Sequence, residues 1–148
     1  MSVVPETQHR VYRPARCGKP RNFRRLGRAV AADDSGQAVN PDGIKNQVEG
    51  AIAQAASWTL QERVDFDSTH IKSRDWATYP ILRFEDVFRS VEVHVIDRPN
   101  QPYLGTGEVG QGPTAAAIAN ALADATGQRF RELPFTRERV KTTLLQNI

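Results

Sequence analysis

Residues 105–112 read Gly-Thr-Gly-Glu-Val-Gly-Gln-Gly, and a run of small residues follows at once. Four glycines in this stretch free the backbone and let another group approach the main chain closely. Pro113 stands where a first helical residue belongs, and Gly127 where a helix ends. Residues 114–126 between them are mostly alanine. The pattern therefore predicts a glycine-rich loop feeding a close-packed, buried helix. Glu108 is the one acidic side chain in the loop, and a carboxylate held there is a candidate for acid–base chemistry. The plain alternative is a solvated glutamate, as in most such loops. The usual phosphate cradles are excluded, because the loop has neither the Gly-Lys-Ser/Thr ending nor the glycine spacing of a dinucleotide fingerprint.

The clearest long helix is expected over residues 44–63, after the turn signal Asn40-Pro41-Asp42-Gly43 with Asp42 as its cap. Ile44, Val48, Ile52, Ala55, Ala56 and Thr59 share one face. Gln47, Gln54 and Gln61 recur every seven residues and form nearly one stripe. Such a stripe is either a solvated face or a row of amides offered to a polar ligand. Strands are expected at 28–32, 64–67, 70–73, 91–97 and 129–133, and a last helix from Arg137, capped by Thr136. The aromatic segment 76–84 is expected to pack over the sheet. The order β-α-β-β-β-α-β-α makes an α+β domain, a mixed sheet packed by two main helices and a short C-terminal helix.

At 148 residues the chain is one domain with a tail. Arg10, Arg13, Arg16, Lys19, Arg21, Arg24, Arg25 and Arg28 face only Glu6 in the first 28 residues, so the net charge of +3 belongs to that tail. Residues 1–26 read as an irregular basic tail and 27–148 as the domain. A basic arm could bind nucleic acid, with Tyr12 and Phe23 stacking, but an unstructured extension is the favoured reading. Cys17 is the single cysteine, and His9, His70 and His94 are scattered, so no metal-ligand cluster is expected. No apolar run approaches a bilayer span and no signal-peptide core opens the chain, so the default location is cytoplasmic, with the periplasm left open.

Several stretches, taken in order, carry a resemblance. They are Asp34-Ser35-Gly36, Asn40-Pro41-Asp42-Gly43, Gln47-Val48-Glu49-Gly50 with Gln54, and Asp75-Trp76-Ala77-Thr78-Tyr79-Pro80. Gly105-Thr106-Gly107-Glu108, Ile118-Ala119-Asn120-Ala121 and Leu133-Pro134-Phe135-Thr136 complete the series. Together they resemble the C-terminal, molybdopterin-binding part of the large subunit of molybdenum hydroxylases, the xanthine oxidase and aldehyde oxidase family. The nearest branch is the isoquinoline 1-oxidoreductase and nicotinate hydroxylase type, often labelled aldehyde dehydrogenase.

The resemblance implies an oxidoreductase with a molybdenum–molybdopterin cofactor, whose pterin form it leaves open, the cytosine dinucleotide included. It implies that Gln47, Gly105, Thr106 and Gly107 lie against the cofactor. It points to Glu108 as the base that takes a proton from a metal-bound hydroxyl, which attacks a carbon of a small heteroaromatic or aldehyde substrate. Electrons then leave through iron–sulfur clusters on a partner chain. Two departures are Val109, where proline is common, and Ser35, where cysteine is usual. The expected partners are the remainder of a large subunit and an iron–sulfur subunit; nucleic acid is not expected. A half-site cannot position substrate and metal together, so the isolated chain is expected to be inactive. The alternative is a non-enzymatic remnant or an interaction module with a nucleic-acid-binding arm.

Overall fold

A computed structural model describes residues 26–146. The expectations for the basic tail, including Cys17, Tyr12 and Phe23, lie outside the described residues. Leu26, counted with the tail by the sequence reading, is buried in the core.

Two strands, β1 (Arg28–Asp33) and β2 (Ser90–Val95), pair in parallel, from Arg28 opposite Ser90 to Asp33 opposite Val95. Parallel pairing requires a crossover. It is provided by helix α1 (Pro41–Leu60), followed by the long segment 61–89. Along β1 the alternation turns Ala29, Ala31 and Asp33 inward. Against the alanines lie Ile44, Val48, Ile52 and Ala56 of α1, with Phe88, Ile118, Phe135 and Val140 closing the core. Helices α2 (Gln111–Thr126) and α3 (Arg137–Leu145) complete the fold, and α2 packs on α1. No helix among the described residues is long and apolar enough to cross a membrane.

The α+β class stands, but the sheet is narrower than expected and parallel rather than mixed. Over 64–73 only one antiparallel bridge forms, Phe66 to Ile71. Beyond the backbone bonds of that bridge, Asp67 N–H to His70 O and Lys72 N–H to Asp65 O, side chains take over: Asp67 Oδ1 accepts from the Thr69 and His70 N–H groups, and Ser73 Oγ accepts from Asp65 N–H. Residues 129–133 are not a strand either. Phe130 is half-buried while Arg129, Arg131, Glu132 and Leu133 are exposed, and no strand among the described residues pairs with them. Phe130 packs edge-on against Phe135 at 6.2 Å, and Phe135 N–H donates to Thr59 O at 2.7 Å, docking the segment on α1.

The helices differ in their ends. Asn40, not Asp42, caps α1: its Oδ1 accepts from Gly43 N–H at 2.9 Å, and the helix stops at Leu60 rather than at residue 63. Helix α2 starts at Gln111, so Pro113 is its third residue, still among positions whose N–H needs no helical partner. Gly127 ends α2 in the left-handed conformation, φ 74°, as its placement foretold. Thr136 caps α3, accepting from Arg139 N–H. The alanine helix is buried along one face only, by Thr114, Ala117 and Ile118. Nor does the aromatic segment cover the sheet: Trp76 is 74% and Phe84 94% exposed, and Leu82 is the member that packs against the core.

Candidate cofactor site

The site is built where β1 runs out. Asp34-Ser35-Gly36 turns the chain, and Gly36 takes φ 80° with no room for a side chain, since a Cβ there would lie 2.0 Å from Pro102 O. The turn is laced to the segment after β2. Ile96 N–H donates to Asp33 O at 2.8 Å, Arg98 N–H to Gly36 O at 3.0 Å and Leu104 N–H to Ser35 O at 2.8 Å. The Arg98 guanidinium pairs with the Asp34 carboxylate, and Asp97 Oδ1 accepts from Ala38 N–H at 2.9 Å. This lacing carries Tyr103 and the glycine loop to the N-terminal half of α1.

Between them opens a cavity of about 260 Å³. Ser35, Gln37 and Asn40 line it from the turn, Ile44 and Gln47 from α1, and Tyr103, Leu104 and Thr106 from the loop. The structure thus brings two of the expected cofactor residues, Gln47 and Thr106, to one surface. Gly105 and Gly107 flank Thr106 without lining the cavity. Glu108 lies outside the wall as well. It is exposed, its backbone carbonyl accepts from Gln111 N–H at 3.1 Å, and its carboxylate has no partner among the described residues.

The glycines of the loop serve different ends. Gly110 is buried where α2 crosses α1, and a Cβ there would sit 3.1 Å from Ala51 Cβ and 3.2 Å from Val48 O. Gly105, Gly107 and Gly112 have nothing of this chain within 4 Å of a Cβ position. None of the four has positive φ, so close approach and open space explain them, not backbone strain. Among the described residues, the N–H groups of residues 105–109 find no protein acceptor. An open run of donors, an amide from Gln47 and a hydroxyl from Thr106 suit an organic cofactor with carbonyl or anionic groups. No group of three or more His, Cys, Asp or Glu among the described residues could hold a bare metal ion.

The glutamine stripe divides its roles. Gln47 faces the cavity, Gln54 Oε1 accepts from Gln111 Nε2 at 2.9 Å, and Gln61 caps the C-terminus of α1. The Gln54–Gln111 bond ties the start of α2, three residues after Glu108, to α1. Sequence reasoning missed that bond, and it missed Ser35, Tyr103 and Leu104 as cavity walls. Ser35 stood within a motif already singled out; Tyr103 and Leu104 left no signal. The titrations that depart from their ordinary values lie away from the cavity. The Arg28 guanidinium holds Glu92 low, Arg139 holds Glu132 low, and the hydrogen bond to Glu62 pushes the Tyr79 hydroxyl up.

A family described as the molybdopterin cofactor-binding domain matches residues 24–88. One nicotinate dehydrogenase polypeptide, from Pseudomonas putida, is 44% identical over 117 residues, 79% of this chain and 10% of that protein. The beta chain of isoquinoline 1-oxidoreductase from Brevundimonas diminuta is 36% identical over 110 residues, 74% of this chain and 14% of that protein. Among solved structures, quinoline 2-oxidoreductase from Pseudomonas putida 86 superposes with a TM-score of 0.72 at 27% identity, covering 82% of this chain and 16% of that one. The chain thus spans about a tenth to a sixth of the length of these relatives.

Proposed function

Because the chain belongs to the xanthine oxidase family of molybdenum hydroxylases, as its molybdopterin-binding part, we propose that it forms one wall of the cofactor site of a hydroxylating oxidoreductase. The net reaction adds a water-derived hydroxyl to an electron-poor carbon of a heteroaromatic ring or an aldehyde, and releases two electrons and two protons. When bound, the molybdenum cofactor supplies the two-electron acceptor and activates the oxygen. This chain supplies the hydrogen-bonding wall and the base.

The observation that carries this reading is the meeting of Gln47 and Thr106 on one cavity, beside a loop whose donors and glycine faces are open. The Gln47 amide and the Thr106 hydroxyl orient the cofactor edge. The open backbone at Gly105 and Gly107 lets it come close. Glu108 projects from the same loop, free of any competing ion pair among the described residues, and holds the proton taken from the attacking oxygen. The Gln54–Gln111 bond and the close approach at Gly110 hold the end of that loop against α1.

The remainder of a large subunit supplies the opposite wall and excludes water, and an iron–sulfur subunit takes the electrons. Trp76, Phe84 and Tyr103 are exposed in the chain alone and would be covered in such an assembly. Alone, the chain leaves Glu108 and the cavity open on one side and does not turn over. The test is Glu108→Gln in the assembled enzyme. Turnover is expected to fall by about 10²–10⁴-fold, the usual contribution of a positioned base, with molybdenum content unchanged. Turnover within a few-fold of the parent would remove Glu108 from the mechanism.

A further inference from the structure

Ser35 and Asp33 form a buried pair that the cofactor reading leaves unused. They are 4% and 2% exposed, and Ser35 Oγ donates to Asp33 Oδ2 at 3.0 Å. Asp33 Oδ1 is fully buried without a hydrogen-bond partner. The Ser35 hydroxyl is therefore the one side-chain donor this carboxylate has among the described residues. Turning that proton toward a ligand would strip a buried carboxylate of its only side-chain donor, so the proton stays committed to Asp33. Ser35 then meets the cavity as a pure acceptor, alongside Gln47 and Thr106.

The cavity wall also states what it would hold. Among the described residues it carries no Lys, Arg, Asp or Glu, while Val39, Ile44 and Leu104 give it apolar surface. That lining suits a flat, uncharged heterocycle with N–H groups on its edge. We propose that Ser35 accepts a hydrogen bond from an N–H of the cofactor's pterin, and that Asp33 is its positioning residue. The inference rests on the cofactor reading above.

The experiment uses the full chain in its assembly from the native host. Pterin release is followed over time as the fluorescent oxidised product, together with the melting temperature. Ser35→Ala is expected to release pterin about tenfold faster, the size of one lost hydrogen bond, and to melt lower, because Asp33 loses its side-chain donor. Ser35→Thr, which keeps the hydroxyl, is expected to restore slow release. Asp33→Asn retains an acceptor and is expected to stay slow. Asp33→Leu is expected to match Ser35→Ala, and the double variant to be no faster than either. Release at the parent rate in Ser35→Ala, additive effects, failure of Ser35→Thr to restore, or slow release in the Ser35→Ala/Asp33→Leu double variant, where no carboxylate is left unsatisfied, would each overturn the proposal alone. A parent assembly with no pterin at all would overturn it together with the cofactor reading.

Discussion

Gly36 and Gly110 are the residues at which this site depends on the lack of a single carbon. At Gly36 a methyl group would strike the Pro102 carbonyl, and φ 80° is already unfavourable for any other residue. At Gly110 a methyl would meet Ala51 and the Val48 carbonyl at 3.1 and 3.2 Å, so α2 must shift by a few tenths of an ångström. Gly36→Ala is therefore expected to destabilise by about 2–4 kcal/mol and Gly110→Ala by about 1–3 kcal/mol, read from denaturant midpoints. Gly105→Ala, where the space is open, is expected to leave stability within about 0.5 kcal/mol of the parent. A ranking with Gly105→Ala as costly as Gly36→Ala would show that the loop is packed differently. Glycine content alone marks the loop as special. It does not tell which glycines face the protein and which face open space, because that depends on what α1 and residue 102 bring alongside.

Among the elements, helices were legible and short strands were not. Some helix ends carry local chemistry that can be read directly, as Thr136 and Gly127 show, while the cap of α1 falls on Asn40 rather than Asp42 and α2 begins two residues before Pro113. A strand needs a neighbour, and alternation at 129–133 says nothing about whether one exists. Over 64–79 the polar side chains decide the structure instead. The Thr69 hydroxyl, then the Thr69 and His70 N–H groups, hold Asp67 below the ordinary carboxylate range, and the Thr78 N–H and hydroxyl hold Asp75 there. A depressed carboxylate contributes stability that is full above its unfolded value, roughly 3.9, and is lost as pH falls through the lower folded value. The loop is expected to keep its native Trp76 environment down to about pH 4 and to loosen only below it. Side-chain NMR titrations of Asp67 and Asp75 check this directly; midpoints at the ordinary aspartate value would mean these turns do not persist in solution. The place of Gln47 on α1 was legible because its motif is local. The wall formed by Tyr103 and Leu104 was not, since it exists only through the lacing of residues 96–104 onto the turn after β1.

At the scale of the whole molecule, a two-stranded parallel sheet, an exposed aromatic segment and a cavity with one open side describe a wall rather than a chamber. Two-stranded sheets are weak alone, and this one is held by α1 on one face. The family relation fits that picture, with similarity running through most of this chain but a small share of each relative. The measurement that bears most directly on the account is the molybdenum and pterin content per chain, with the masses of all co-purifying polypeptides, after purification of the tagged chain from its native host. One molybdenum and one pterin per chain, with the rest of a large subunit present, is the predicted result. A homogeneous chain that carries neither molybdenum nor pterin and has no companion would contradict it, and Glu108 would then have no chemistry to perform.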